Sequence, residues 1–272
     1  MRVIAFLLFL ASLAALAAAG FSFSSLSVTI AARPDGSAHV SEDIRIFIDD
    51  RPSIEIYDAG IAITNDITSW KVRTNISEVR HHVDRQLVDV RNIIVRPQPR
   101  DTCNSFLGTC YATIKMEYDA YPIIENGTVV PGTGLFTAIR YKPRTTNYSL
   151  NARALSFEST QTGEIVLGDN QVLTIKIPPE SVVTYIDPLP ETMRERTLPL
   201  TGIYSFSWRG RTTLADFQLR YQIEQPLKEE VVEFFASLEG RARALLFSAE
   251  GAALILLSAI AILSWALLRR RE

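Results

Sequence analysis

Histidine and cysteine are scarce in this chain, with 3 and 2 copies among 272 residues. Metal centres and many nucleophilic active sites need these residues at characteristic spacings, and no zinc-type spacing occurs. His39 stands alone beside a turn. His81 and His82 are adjacent, so on a strand they would point to opposite faces and could not share a metal. No Gly-x-Ser-x-Gly elbow is present. Exposed strand histidines are the plainest reading, with His81 or His82 as a general base for a distant serine as the alternative. No cofactor is expected. A surplus of positive charge is also missing: 28 Lys and Arg face 30 Asp and Glu, for a formal net charge of -2. Nucleic acid is therefore not an expected partner.

What the chain does have is concentrated at its two ends. Residues 1–19 run from Arg2 through an apolar stretch to Ala17-Ala18-Ala19, followed by Gly20, the order of a cleaved signal peptide. The apolar stretch is shorter than the roughly 20 residues that span a bilayer, and an uncleaved anchor is the rival reading. No cysteine follows the small residues, which leaves a lipoprotein anchor unsupported. Residues 251–268 carry no charge and are followed at once by Arg269, Arg270 and Arg271. A helix there covers roughly 27 Å, close to the hydrocarbon thickness. Trp265 falls one turn before the arginines, at interface depth, and the arginines of the 269–272 tail belong on the cytoplasmic side. Signal and basic tail give one orientation, N-terminus outside and C-terminus inside. A cleavable processing signal at the C-terminal end is a further reading, without a recognisable motif before Gly251.

An exported chain gives the two cysteines a meaning. Cys103 and Cys110 lie close together in an oxidising compartment and are expected to form a disulfide. A metal site is the rival, with no histidine or second cysteine pair nearby. Asn75, Asn126 and Asn147 each open an acceptor sequence for N-glycosylation.

Between the ends the dominant period is two. Leu26, Val28 and Ile30 alternate with polar or small residues, Pro34-Asp35-Gly36-Ser37 turns the chain, and Val40 to Ile48 returns. Ala112, Ile114, Met116 and Tyr118 form another strand. Its expected partner is Asn92 to Val95, with the disulfide stapling the open end of that hairpin. Strands are also expected at 135–141, 164–167, 171–177, 203–208 and 214–223, with Gly168-Asp169-Asn170 and Arg209-Gly210-Arg211 as turns between adjacent pairs. Glu42 shares a face with Val40 and Ile44. A carboxylate on a core-facing row needs a partner or an exit to solvent, and a sheet-edge position or bulge is the plain reading.

The fold class expected is mainly β, with one or two antiparallel β-sandwich domains followed by an amphipathic stalk helix and one transmembrane helix. The two parts would cover 20–147 and 148–226, with a single larger sandwich as the alternative. After Pro226 the period becomes helical. Over 227–249, Val231, Phe234, Phe235 and Leu238 form an apolar stripe that must pack on the β-domain, lie on lipid or contact a partner.

The opening pattern, Val28 through Asp35-Gly36 to Val40-Ser41-Glu42, resembles the start of uncharacterised prokaryotic single-pass membrane proteins. The later order, Ile175-Lys176-Ile177-Pro178, Trp208-Arg209-Gly210 and Phe217-Gln218-Leu219-Arg220-Tyr221, is similar to archaeal ectodomains of that kind. The resemblance implies an exported β-domain and carries over no catalytic residue. The expected function is a non-catalytic binding, adhesion or accessory-subunit module at the cell surface. Its partners would be the lipid bilayer and another membrane or envelope protein or a surface polymer. An extracellular hydrolase, or an accessory domain of a membrane enzyme complex, is the alternative.

Overall fold

The computed structural model describes residues 20–63, 66–142, 144–191, 193 and 198–224. The segments read as signal peptide, stalk, transmembrane helix and basic tail lie outside the described residues, and so do Val231, Phe234, Phe235 and Leu238. Among the described residues no helix is long and apolar enough to cross a membrane. Two compact units are distinguished, Met1–Ile139 with Thr146–Ile223, and Arg140–Thr145 with Glu224–Glu272.

The fold is mainly β, and its first half reads β1 (Phe21–Ala32), β2 (Ala38–Ile48), α1 (Arg51–Ile63), α2 (Ile67–Thr74), β3 (Asp89–Pro97), β4 (Cys110–Tyr121), β5 (Ile124–Glu125) and β6 (Thr128–Val129). Next come β7 (Phe136–Lys142), β8 (Thr145–Leu150), a 3-10 turn (Ala152–Ala154), β9 (Glu158–Ser159), β10 (Ile165–Leu167) and β11 (Gln171–Lys176). The last strands are β12 (Ser181–Asp187), β13 (Ser205–Arg209), β14 (Thr212–Leu214) and β15 (Gln218–Glu224).

The largest sheet has six strands in the order β13-β11-β1-β2-β4-β3. Its centre is the expected hairpin, where Val28 faces Glu42 and Ile30 faces Val40. Alternation does the sorting: in β2 the even positions Val40 to Ile48 are buried with Glu42 among them, while Asp43 and Arg45 are exposed. β11 lies parallel to β1, with Leu26 beside Gln171 and Ala31 beside Lys176. Strands from both sides of residue 147 therefore share one sheet, and residue 147 itself falls inside β8. A second sheet has the order β12-β15-β8-β7 and a third β14-β10-β9.

The turns expected at Gly168-Asp169-Asn170 and Arg209-Gly210-Arg211 join consecutive strands, and they carry those strands from one sheet to another. β10 pairs with β14 while β11 pairs with β13, so one two-stranded ribbon bends between two sheets. At the bend Arg211 donates to both carboxylate oxygens of Asp169, at 2.8 and 2.9 Å. Gly210 sits against the carbonyls of Gly168 and Asp169, where a β-carbon would have no room.

The two helices are an addition to the sequence reading. Asp50 accepts from Ser53 N at 2.7 Å and Pro52 stands in the first turn, where its missing N–H costs nothing. Asp66 caps α2 through Ser69 N at 2.8 Å, and Asn75 ends it in the left-handed region at φ 55°. The helices meet through Tyr57 and Trp70, whose ring centroids are 5.1 Å apart. Tyr57 then donates its hydroxyl to the Gln98 carbonyl at 2.7 Å, tying α1 to the strand connection.

Candidate functional site

Glu42 sits at the centre of the buried polar chemistry. β2 is flanked by β1 and β4, so the carboxylate cannot reach a sheet edge, and its relative exposure is 0%. Burial of this kind requires partners, and three donors supply them. His82 donates its backbone N–H to Oε1 at 2.9 Å, and its ring Nδ1 lies 2.7 Å from Oε2. Tyr118, on β4, donates its hydroxyl to Oε1 at 2.5 Å. The edge position expected for Glu42 and the exposed strand position expected for His82 are both incorrect. His82 occupies a bend, is buried, and is clamped to the sheet. His81 packs edge-on against Tyr118 with centroids 5.1 Å apart. Burial pushes the His81 imidazole below its ordinary pKa, and burial with the neighbouring Glu42 pushes the Tyr118 phenol well up.

This knot joins three parts of the chain. The carbonyl of His82 accepts from Ser156 N at 2.8 Å, Val83 bridges to Leu155, and the His82 ring lies 5.3 Å from that of Phe157. His82 also lines a cavity of about 90 Å³ with Ser77, Glu78 and Glu158. Ligand pockets run to roughly 300–1,000 Å³, so this space suits a few waters at most. Ser77 donates its hydroxyl to Glu78 at 2.7 Å. The knot's geometry is that of a pin holding a loop to a sheet.

A wider surface cleft of about 590 Å³ has Asp84, Glu164, Asp216 and Arg153 on its walls. Among the described residues no group of three His, Cys, Asp or Glu side chains could hold a metal ion. On another face Asp119 takes hydrogen bonds from Asn92 at 2.8 Å and Arg33 at 2.7 Å, and lies 3.1 Å from His39. Asn92 first, then His39 and Arg33, hold that carboxyl down at about 2.

The cysteines form the expected bond, Cys103 to Cys110, with Cα atoms 4.4 Å apart. The bond lies within the β3–β4 connection, so it closes the loop end of the hairpin rather than its open end. Inside the ring Asn104 organises a turn: its side-chain oxygen accepts from Phe106 N at 2.9 Å and Leu107 N at 3.0 Å. Its backbone N–H donates to Thr109 O, and its carbonyl accepts from Gly108 N, both at 2.8 Å. Gly108 supplies the positive φ of 66°. With the backbone satisfied locally, the two largest side chains have nowhere inside to go. Phe106 is 91% exposed and Leu107 63%.

The tip continues into an aromatic patch on the outer face of the sheet. Phe47 and Tyr111 are cross-strand partners with centroids 5.2 Å apart, and the Arg45 guanidinium lies over the Tyr111 ring at 4.6 Å. The two arginines near the tip are paired with carboxylates, Arg45 with Asp101 at 2.9 Å and Arg100 with Asp58 at 3.0 Å. No family model matches this chain, and no curated protein matches it.

The expected glycan acceptors Asn75, Asn126 and Asn147 are all exposed. Asn126 lies at the tip of the β5–β6 hairpin with φ 51°, and Asn147 is in β8.

Register places the disulfide tip relative to the exit of the chain. Phe21 pairs with Ile48 and Ile48 with Cys110, so the tip belongs to the Phe21 end of β1. At the other end Ala31 pairs with Lys176, Ser181 N bonds back to Pro178 O at 3.0 Å, and Ser181 pairs with Ile223. Ile223 closes the first compact unit. Tip and exit are thus at opposite poles, separated by roughly 36 Å of β1 at about 3.3 Å per residue.

Proposed function

We propose that this chain is a membrane-anchored, non-catalytic binding module of the β-sandwich class, displayed outside the cell. The Phe106-Leu107 tip is its principal protein contact. The observation that carries this reading is the disulfide ring that fixes two large apolar side chains in water. Holding a contact in its bound shape before the partner arrives lowers the entropic cost of binding, and an aromatic anchor is a common hot spot. The signal-like residues 1–19 and the apolar run 251–268 before three arginines support the topology. The Val231, Phe234, Phe235 and Leu238 stripe is a second contact surface in this reading. Within the first compact unit the tip lies at the end of the sheet opposite Ile223. The arginines flanking the tip are paired with carboxylates, so it has no basic collar to draw it to anionic lipid. A hydrolase reading would need substrate room beside His82, and the cavity there is about 90 Å³.

The test uses the full chain isolated from native membranes. With Phe106→Ser and Leu107→Ser together, a co-purifying partner should be lost while the melting temperature stays within about 2 °C, as for substitutions at exposed positions. A disulfide-closed peptide covering residues 98–112 should compete for that partner, and its reduced form should compete at least tenfold less well. Retention of the partner by the double variant would exclude the tip.

A further inference from the structure

The first described residue, Gly20, lies in an unusual setting. Its N–H donates to Ser53 Oγ at 2.8 Å, and Ser53 is buried at 1% exposure. Its carbonyl accepts from Asp49 N at 2.9 Å. The Asp49 and Asp50 carboxylates crowd its α-carbon so closely that a β-carbon would overlap both. With a buried hydroxyl on its N–H, the Asp50 carboxylate hydrogen-bonded to its backbone and the Asp49 carboxylate beside its α-carbon, Gly20 has more acceptors near it than one amide hydrogen can serve.

We infer that hydrolysis of the Ala19–Gly20 peptide bond completes this fold, because the Gly20 α-ammonium it releases pairs with Asp49 and Asp50 while keeping its bond to Ser53. Water is the co-reactant and a signal-peptidase-class protease the catalyst. The acyl carbon of Ala19 gains the hydroxyl and leaves as a carboxylate, and the Gly20 nitrogen gains two protons to become an ammonium. The site thereby changes from one hydrogen-bond donor to three with a full positive charge, matching the acceptors already present. The inference rests on the export reading above.

Asp49, Asp50 and Ser53 come from the β2–α1 junction, and Arg51 next to them pairs with Glu55 at 3.4 Å. On the other side of β1, β11 begins its pairing only at Leu26. Asp50 already lies below the ordinary carboxylate range, chiefly through Ser53 and in part through Gly20. An ammonium between carboxylates titrates above its unfolded value of about 8. Its stabilisation is therefore complete below about pH 8 and is lost as pH rises through the folded value.

The experiment compares three exported full-length chains: the processed protein, a cleavage-blocked variant (Ala17→Leu with Ala19→Leu), and processed Asp49→Asn/Asp50→Asn, in which Asn still caps α1. Intact mass and N-terminal sequencing come first, and a first residue other than Gly20 would overturn the cleavage and the inference together. With Gly20 first, the processed chain should melt about 2–4 °C above the blocked chain at pH 7. That gap should close between about pH 8 and 10 and be absent in the double Asn variant. Melting curves that run parallel across this range in all three chains would overturn the inference while leaving export intact.

Discussion

Glu42 shows how far a single position can be read from sequence. Its place on the core-facing row between Val40 and Ile44 follows from the period of two. What the local pattern could not supply was the strand order, and with β1 and β4 on either side the edge escape does not exist. Its partner His82 lies 40 residues away and Tyr118 lies 76 away, so no local spacing announces the cluster. Glu42→Gln would turn an amide N–H₂ towards donors that need acceptors. A loss of about 3–5 kcal/mol is expected, the usual cost of breaking a buried charged contact, read by urea unfolding of the full chain. A loss under about 1 kcal/mol would mean that the three bonds hold nothing in place.

At the scale of elements, strands with clean alternation were legible and helices were not. β1, β2, β4 and β15 all display one buried and one wetter face. In α1 and α2 the buried residues are few, Ser53, Tyr57 and Gly60, then Trp70 and Thr74, too sparse to give a helical stripe. The turns at Gly168 and Gly210 were recognisable as turns, yet their role as a bend between sheets depends on pairings between residues distant in sequence, from Lys176 with Ser205 to Ile165 with Leu214. The disulfide was legible from the close cysteine pair once export was expected, while the exposure of Phe106 and Leu107 was not, because apolar side chains in a loop ordinarily signal burial. Closing a loop with a separation of 7 residues stabilises by about 2.5 kcal/mol on the chain-entropy model. Reduction should lower the unfolding free energy by roughly that amount. It should also raise amide exchange within residues 104–109 and leave β3 and β4 protected, as hydrogen-exchange mass spectrometry would show.

For the whole molecule, the topology proposal places nearly all of the chain on one side of a membrane. Protease applied to intact cells should remove the β-domain and leave a C-terminal fragment of a few kilodaltons, as one spanning helix with a short tail requires. Survival of the β-domain in unlysed cells would reverse the orientation. The sequence reading placed strands on either side of residue 147 but could not show that they share a sheet, because parallel pairing leaves no hairpin signal. That parallel β1–β11 pair also dictates the order of assembly during synthesis. Leu26 emerges early and its neighbour Gln171 follows 145 positions later, an interval of roughly 7–30 s at about 5–20 residues per second. Throughout that interval β1 and β2 can form their hairpin while the far side of β1 offers unpaired backbone groups to any passing strand. Slowing elongation ahead of residue 171 should therefore raise the aggregated fraction, whereas an equal delay after residue 209 should not, since by then both neighbours of β1 and the outer strand β13 have emerged.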